Sequence, residues 1–250
     1  MKLVIIGGTG LIGSKLVARL REQRHEAVAA APNTGVNTLT GEGLADALRG
    51  AAVVVDVSNS PSFEERAVMA FFTDSTRNLL KYAAAAGVKH YVALSVVGTG
   101  RLLDSPYFRA KNAQETLIKT GGIPYSIVHA TQFFEFVDRI ANEATVGNTV
   151  RVPRALIQPM AADDVVDGLA EIAVGAPANG IVELGGPQSF RFDELIRHAL
   201  RARHDPREVV VDPQARYFGA QLAEPSLIPS DGARLARTRF DEWLSRALVA

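Results

Sequence analysis

Tyr107 and Lys111 stand four residues apart in Tyr107-Phe108-Arg109-Ala110-Lys111, a spacing that sets both side chains on one face of a helix. A cation beside a phenol favours the phenolate and lowers its pKa from about 10. The pair could then exchange a proton with a carbonyl or alcohol oxygen near neutral pH. Ser95, twelve residues upstream of Tyr107, could hydrogen-bond the same oxygen. The plain alternative is an ordinary exposed helix pair.

What tips the balance lies at the start of the chain. In Lys2-Leu3-Val4-Ile5-Ile6-Gly7-Gly8-Thr9-Gly10-Leu11-Ile12-Gly13, residues Gly8, Gly10 and Gly13 satisfy G-x-G-x-x-G. The motif falls between an apolar run that reads as a strand and the Leu11/Ile12/Leu16/Leu20 stripe of an amphipathic helix. Glycines there allow a tight turn and let backbone approach a pyrophosphate, while the helix N-terminus offers free N–H groups to the anion. A dinucleotide is the expected cofactor, held by Gly7, Gly8, Thr9, Gly10, Leu11, Ile12 and Gly13. Residues 27–41 contain no Asp, Glu, Lys or Arg, so Asn33 and Thr34 are the polar contacts expected near the adenosine ribose. Lack of an acid removes repulsion of a 2′-phosphate, and lack of an arginine removes its usual attraction; the preference tips slightly to NADP over NAD. Ser58, just past the third strand, and Lys111 complete the expected cofactor set.

Positioning these groups requires alternating strands and helices. Strands are expected at 3–6, 27–31, 52–57, 91–95 and 125–129, short and mostly apolar as strands buried on both faces must be. Helices at 11–24, 44–49, 64–86 and 106–119 separate them, with Gly87 and Gly121-Gly122 as stops. This is the pattern of an α/β, Rossmann-type doubly wound parallel sheet. Farther on, a helix at 133–145, an extended piece at 150–152, a helix from Asp163, a strand at 181–184, a helix at 192–203, a strand at 209–211 and helices ending at Leu248 are expected. No linker divides the chain, so 1–250 reads as one unit. Its last part, from about 150, should form a small substrate-binding lobe over the carboxyl edge of the sheet.

The chain has 250 residues, 47% hydrophobic and 22% charged, a globular composition. The 27 basic and 27 acidic residues cancel, leaving no global field to gather nucleic acid or an anionic bilayer. No apolar run approaches the ~20 residues of a membrane span, and the first apolar run is too short for a secretory signal, so a cytoplasmic location is expected. Absence of cysteine excludes disulfides, thiolate nucleophiles and Cys-ligated metals.

These motifs resemble the short-chain dehydrogenase/reductase superfamily, in which a Gly-rich turn, a strand-end Ser and a Tyr-x-x-x-Lys helix follow in this order. Gly122-Ile123-Pro124-Tyr125-Ser126-Ile127-Val128, Thr131-Gln132-Phe133-Phe134-Glu135 and Asp163-Asp164-Val165-Val166 are similar to its atypical, NmrA-like branch, related to extended epimerases and dehydratases. The resemblance implies an NAD(P)H-dependent oxidoreductase acting on a small carbonyl or quinone-type substrate. Tyr107 would be the acid/base, Lys111 would hold the nicotinamide ribose and tune Tyr107, and Ser95 would orient the substrate. It leaves open a redox-silent NAD(P)-sensing regulator, as in relatives that have lost the tyrosine, and a nucleotide-sugar epimerase or dehydratase. His129 stands where many relatives carry Arg.

Other candidates are read from position. Phe133, Phe134 and Phe136 could wall an apolar substrate pocket or belong to the core, and His129, at a strand end, could face substrate or be a hydrogen-bonded structural residue. Asp163-Asp164 reads as a helix cap rather than a metal site. Arg191, Arg197, Arg201 and Arg203 are interrupted by acids and read as a solvated face, not a nucleic-acid surface. Tyr217 and Phe218 could close over a substrate or anchor a loop.

Overall fold

The computed structural model describes residues 1–249. Its first part runs β1 (Lys2–Ile6), α1 (Leu11–Glu22), β2 (Glu26–Ala30), α2 (Leu44–Leu48), β3 (Val53–Asp56), α3 (Glu65–Ala85), β4 (His90–Val96), α4 (Pro106–Thr120) and β5 (Tyr125–Ala130). α1 buries Ile12, Leu16, Val17 and Leu20, one stripe at helical spacing. Pro106 opens α4, where its missing N–H leaves no helical bond unmade. Gly87 and Gly122 reverse the chain after α3 and α4 with φ of +73° and +75°, a region that favours glycine.

The remainder runs α5 (Val137–Glu143), β6 (Thr145–Val146), β7 (Thr149–Val152), β8 (Leu156–Ile157), α6 (Ala162–Val174), β9 (Gly180–Gly185), β10 (Phe190–Arg191), α7 (Phe192–Ala202), β11 (Glu208–Val211), β12 (Arg234–Leu235) and α8 (Phe240–Ala247). The expected helix at 133–145 is divided: Phe134–Phe136 is a 3₁₀ turn, and α5 begins only at Val137. The two-residue strands β8 and β10 lie outside the expected elements, β6 takes the last residue of the expected helix, and β12 falls where only helices were expected, since so short a run has no readable period.

Seven strands form one parallel sheet in the order β12-β9-β5-β4-β3-β1-β2. The chain reverses direction across the sheet at β1, whose neighbours are β2 and β3, so a crevice opens above the carboxyl ends of β1 and β3. One face is covered by α1 and α6, through Leu16, Leu20, Val165 and Leu169; the other is covered by α2, α3 and α4, through Leu44, Leu79 and Ile118. Burial on both faces explains why β3 is apolar at all positions but the last.

A third core joins α5, β7, α7, β11 and α8 to Phe108 of α4, which seats the C-terminal residues against the sheet's carboxyl side. Glu135 fastens this lobe. Its carboxylate accepts Ala162 N–H at 3.1 and 3.2 Å and Trp243 Nε1–H at 3.1 Å, and burial raises its pKa. The cap of α6 therefore comes from Glu135 and not from the expected pair: Asp163 binds Lys15 at 2.7 Å, and Asp164 accepts from Thr238 N and Oγ1 at 3.2 and 3.1 Å. Among the described residues there is no group of three or more His, Cys, Asp or Glu able to hold a metal, and no helix long and apolar enough to cross a membrane.

α1 packs closely against the turn before it. A Cβ on Gly13 would lie 2.1 Å from the carbonyl oxygen of Gly7, whereas one on Gly10 would meet nothing closer than 3.4 Å. Gly13→Ala should therefore lower unfolding free energy by about 1–3 kcal/mol or more in urea titration, and Gly10→Ala should leave it within about 1 kcal/mol. Equal effects would mean that α1 does not press on the turn.

Candidate active site

A cavity of about 680 Å³ follows the carboxyl ends of the central strands, from the Gly-rich turn to the loop bearing Tyr217 and Phe218. At its floor Gly7 has φ +76°, and a Cβ there would meet Ser58 Cα at 2.9 Å. Gly8 lies against β2, where a Cβ would fall 2.6 Å from Ala29 Cα. α1 starts at Gly10 with no side-chain cap and no acid in its first turn, so its leading N–H groups stay available to an anion. These features fit a dinucleotide pyrophosphate. Gly7, Thr9, Gly10, Leu11, Ile12 and Gly13 all line the cavity, and Gly8 supports it from behind.

The loop after β2 differs from expectation. Thr34 Oγ1 accepts Ala31 N–H and donates to Ala31 O, both at 2.9 Å, so its hydroxyl closes a 3₁₀ turn. Asn33 Oδ1 accepts Thr9 Oγ1–H at 3.1 Å and steadies the Gly-rich turn. Neither residue lines the cavity; Asn37, Thr38 and Leu39, just beyond, do so. Periodicity could not show that the turn folds back and hands its place to the next residues.

Tyr107 and Lys111 line the cavity from α4, and Ser95 from the end of β4. Lys111 is 2% exposed, and its ammonium donates to Leu94 O at 2.9 Å and to Gln114 Oε1 and lies 4.5 Å from the Phe72 ring centroid. Burial lowers its pKa to about 8 against the opposing pull of Asp56 and Glu115. Asp56, at the end of β3, ties this network together: it accepts Gln114 Nε2–H at 3.1 Å, Tyr91 O–H at 3.3 Å and Ser58 Oγ–H at 2.6 Å. Ser58 keeps its place on the cavity wall.

Two expectations are corrected here. The Tyr107 phenol is pushed up to about 12 by burial, rather than lowered by Lys111, whose ammonium is engaged by Leu94 and Gln114. Tyr107 is packed among Phe63, Phe72 and Phe108 at ring separations of 5.5, 6.0 and 5.7 Å. Ser95 is not free to orient a ligand by donation, because its hydroxyl donates to Glu115 Oε1 at 2.6 Å. The same oxygen meets His129 Nε2 at 2.8 Å. Tyr107, Lys111 and Glu115 are successive i, i+4 neighbours on α4, and that spacing was the signal by which Glu115 could have been found.

His129 is thus buried against Glu115 and does not line the cavity. Phe134 is also core, 5.1 Å from Phe240 and 5.4 Å from Trp243 between ring centroids. Phe133 does line the cavity, stacked with Phe136 at 5.4 Å and 23°. Residues that sequence reasoning missed complete this end. Thr131 and Gln132 follow β5, and Thr131 Oγ1 and both amide atoms of Gln132 are buried without a hydrogen-bond partner among the described residues. Beside Gln132 is the Tyr217 hydroxyl, whose pKa burial raises, with Tyr107 adding to the effect and the nearby Gln132 amide opposing it. Tyr217 and Phe218 meet edge to face at 4.8 Å and both border the cavity, so the loop is at once anchored and part of the wall. Of the distant arginines, Arg197 binds Asp193 and Arg203 binds Asp138, in partly buried ion pairs.

A Gly-rich crevice at the sheet's reversal point, floored by uncapped helical N–H groups and flanked by a Tyr-x-x-x-Lys helix, defines a pyridine-nucleotide-binding oxidoreductase-like fold. The chain belongs to the NAD(P)H-binding family, which residues 7–158 match. Its structural neighbours lie in the short-chain dehydrogenase/reductase and NAD-dependent epimerase/dehydratase superfamily, in keeping with the motif resemblance. They include a short-chain dehydrogenase/reductase superfamily protein of Agrobacterium tumefaciens with bound NAD (TM-score 0.74, 17% identity, 100% of this chain and 96% of that one). MoeE5 in complex with UDP-glucuronic acid and NAD superposes with TM-score 0.77 at 19% identity over 98% and 97% of the two chains. The UDP-glucose 4-epimerase of Thermus thermophilus does so with 0.68 at 17% over 91% and 92%. Among sequence relatives, the photosystem II assembly factor Ycf39 of Synechocystis sp. is 23% identical over 149 residues, 54% of this chain and 46% of the relative. That of Trieres chinensis is 26% identical over the same length, 54% and 47% of the two chains. The chain spans about half the length of these relatives.

Glu115 yields a stability test. Burial alone would raise its pKa, but hydrogen bonds and charge from His129, the Ser95 hydroxyl and Lys119 hold it at about 2. A carboxyl lowered on folding stabilises above its unfolded value of about 4.3, and the contribution fades as pH falls towards 2. Glu115→Ala should cost about 3–5 kcal/mol in urea unfolding at pH 7. The gap between variant and parent should narrow between about pH 4.5 and 2; a gap independent of pH would refute the assigned partners.

Proposed function

We propose that this chain is an NAD(P)H-dependent oxidoreductase for a small carbonyl or quinone-type compound, favouring NADP, with Tyr107 as its proton donor. The observation that carries the reading is that Tyr107 and Lys111 line the same cavity as the Gly-rich turn. The turn and the N-terminus of α1 hold the pyrophosphate, with Ser58 on the wall and Asn37 and Thr38 towards the adenosine end. Uncharged residues there leave a 2′-phosphate unopposed. Bound NAD(P)H supplies the hydride.

The protein's own groups handle the proton and the orientation. With its pKa near 12, Tyr107 is a neutral phenol at pH 7 and presents an O–H to the substrate oxygen. Lys111 has three N–H donors; two are taken by Leu94 and Gln114, and the third is left for the cofactor's ribose. Gln132 and Tyr217, rather than Ser95, orient the substrate oxygen, since the two side chains adjoin each other at the cavity and no described residue makes a well-formed hydrogen bond to the Gln132 amide. Ser95 is a positioning residue acting through Glu115. Residues from about 150 onward contribute the substrate lobe through Tyr217 and Phe218.

Titration with NADPH and NADH by nicotinamide fluorescence, followed by a panel of quinones and aldehydes, tests this directly. Tight binding followed by cofactor oxidation is expected. Binding with no oxidation would favour a redox-silent NAD(P)-sensing regulator, the reading nearest to the assembly-factor relatives. NAD that copurifies and survives gel filtration would favour an epimerase or dehydratase. Tyr107→Phe should lower kcat by about 10²–10⁴ while NADPH affinity stays within about twofold. Because Lys111 loses its charge above about pH 8, kcat/KM should fall on the alkaline side of that pH, and a profile flat to pH 10 would remove Lys111 from the mechanism.

A further inference from the structure

Arg139 stands on α5 where the aromatic wall of the cavity meets solvent. Its guanidinium carbon lies 4.9 Å from the centroid of Phe63, a cation–π contact that holds the head at the opening. Phe63 in turn lies 5.5 Å from Tyr107 and 6.1 Å from Phe218, so the arginine belongs to the end of the cavity that holds the proposed proton donor. Among the described residues its one ion-pair partner is Glu143, at 3.9 Å and well exposed, a pair that contributes little. The adjacent Asp138 turns away to Arg203 at 3.0 Å.

The charges on the cavity wall have one sign. Among the described residues no Asp or Glu lines it, and its charged side chains are Lys111 and Arg139. Lys111 is held within the buried network, which leaves the Arg139 guanidinium as the cation available to a ligand at the substrate end. A planar guanidinium matches a carboxylate with two parallel hydrogen bonds. The cavity wall also carries flat rings, the stacked pair Phe133 and Phe136 and the pair Phe63 and Phe218 at 6.1 Å.

We propose that Arg139 is the anion receptor of the substrate site, and that the site takes a small planar aromatic carbonyl compound bearing a carboxylate. The ring lies among the phenylalanines and the carboxylate on the guanidinium. This inference rests on reading the cavity as a substrate site, but its test needs no turnover.

Calorimetry of the protein saturated with NADP⁺, and of the protein alone, would measure binding of benzoate, benzyl alcohol and cyclohexanecarboxylate. Benzoate should bind at least about tenfold more tightly than the other two, which lack either the charge or the aromatic ring. Arg139→Gln should weaken benzoate binding about 10–100-fold, with benzyl alcohol and NADP⁺ affinities unchanged, and Arg139→Lys should restore only part of the loss. Benzoate binding that is no tighter than that of benzyl alcohol, or that is unaffected by Arg139→Gln, would overturn the proposal. So would displacement of benzoate by UDP-glucose with micromolar affinity, which would make the cavity a nucleotide-sugar site. Arg139-dependent benzoate binding without cofactor oxidation would leave this inference standing and remove the oxidoreductase reading. Cofactor oxidation with Arg139-independent binding would do the reverse.

Discussion

The buried carboxylate of Glu115 is the interaction on which the geometry of the site depends. A charge under a helix in a nearly dry interior is tolerable only if its oxygens are occupied, and here Ser95 from β4, His129 from β5 and Lys119 from α4 itself occupy them. The two contacts that cross from the sheet, Ser95 and His129, hold α4 in place on it, while Lys119 occupies the other carboxylate oxygen from within the helix. Tyr107 and Lys111 occupy earlier turns of the same helical face, so their position in the cavity follows from that seating. A second buried carboxylate, Asp56, does the same from β3 through Gln114, and the two networks meet around Lys111.

The strand-end Ser and the helix Tyr/Lys pair are therefore parts of different machinery. The serine is committed to holding the helix, while the tyrosine is free to meet a ligand. The residues that follow β5, Gln132 and Thr131, carry buried polar atoms with no partner among the described residues. Such atoms are rare in native interiors and usually have an explanation outside the chain's own contacts.

Much of the architecture was legible in the residues because it rests on local rules. The first five strands and four helices fall within a few residues of expectation, since each is announced by a buried apolar run or an amphipathic stripe closed by glycine or proline. The Gly-rich turn was legible for the same reason: its constraint is backbone geometry. What escaped depends on contacts distant in sequence. Nothing near Thr34 indicates that its hydroxyl turns inward on Ala31, nothing near Phe134 indicates that α8 will cover it, and nothing near His129 reveals a carboxylate fourteen residues earlier in the chain. The direction of the Tyr107 shift escaped because spacing reports proximity to a cation, and burial, the larger effect, depends in part on the Phe63 and Phe72 rings, which arrive from distant segments.

The loop that carries Tyr217 and Phe218 has a further implication. Tyr217 and Ala220 exchange both backbone hydrogen bonds, at 2.9 and 3.0 Å, around Phe218 and Gly219 at φ +46° and +87°. This is a two-residue hairpin turn of the left-handed type, a position at which asparagine followed by glycine is the unstrained choice. A bulky aromatic in the left-handed region costs about 1–2 kcal/mol. A chain shaped by folding alone would have asparagine at 218. The ring that stands there instead costs stability at a point where the loop borders the cavity.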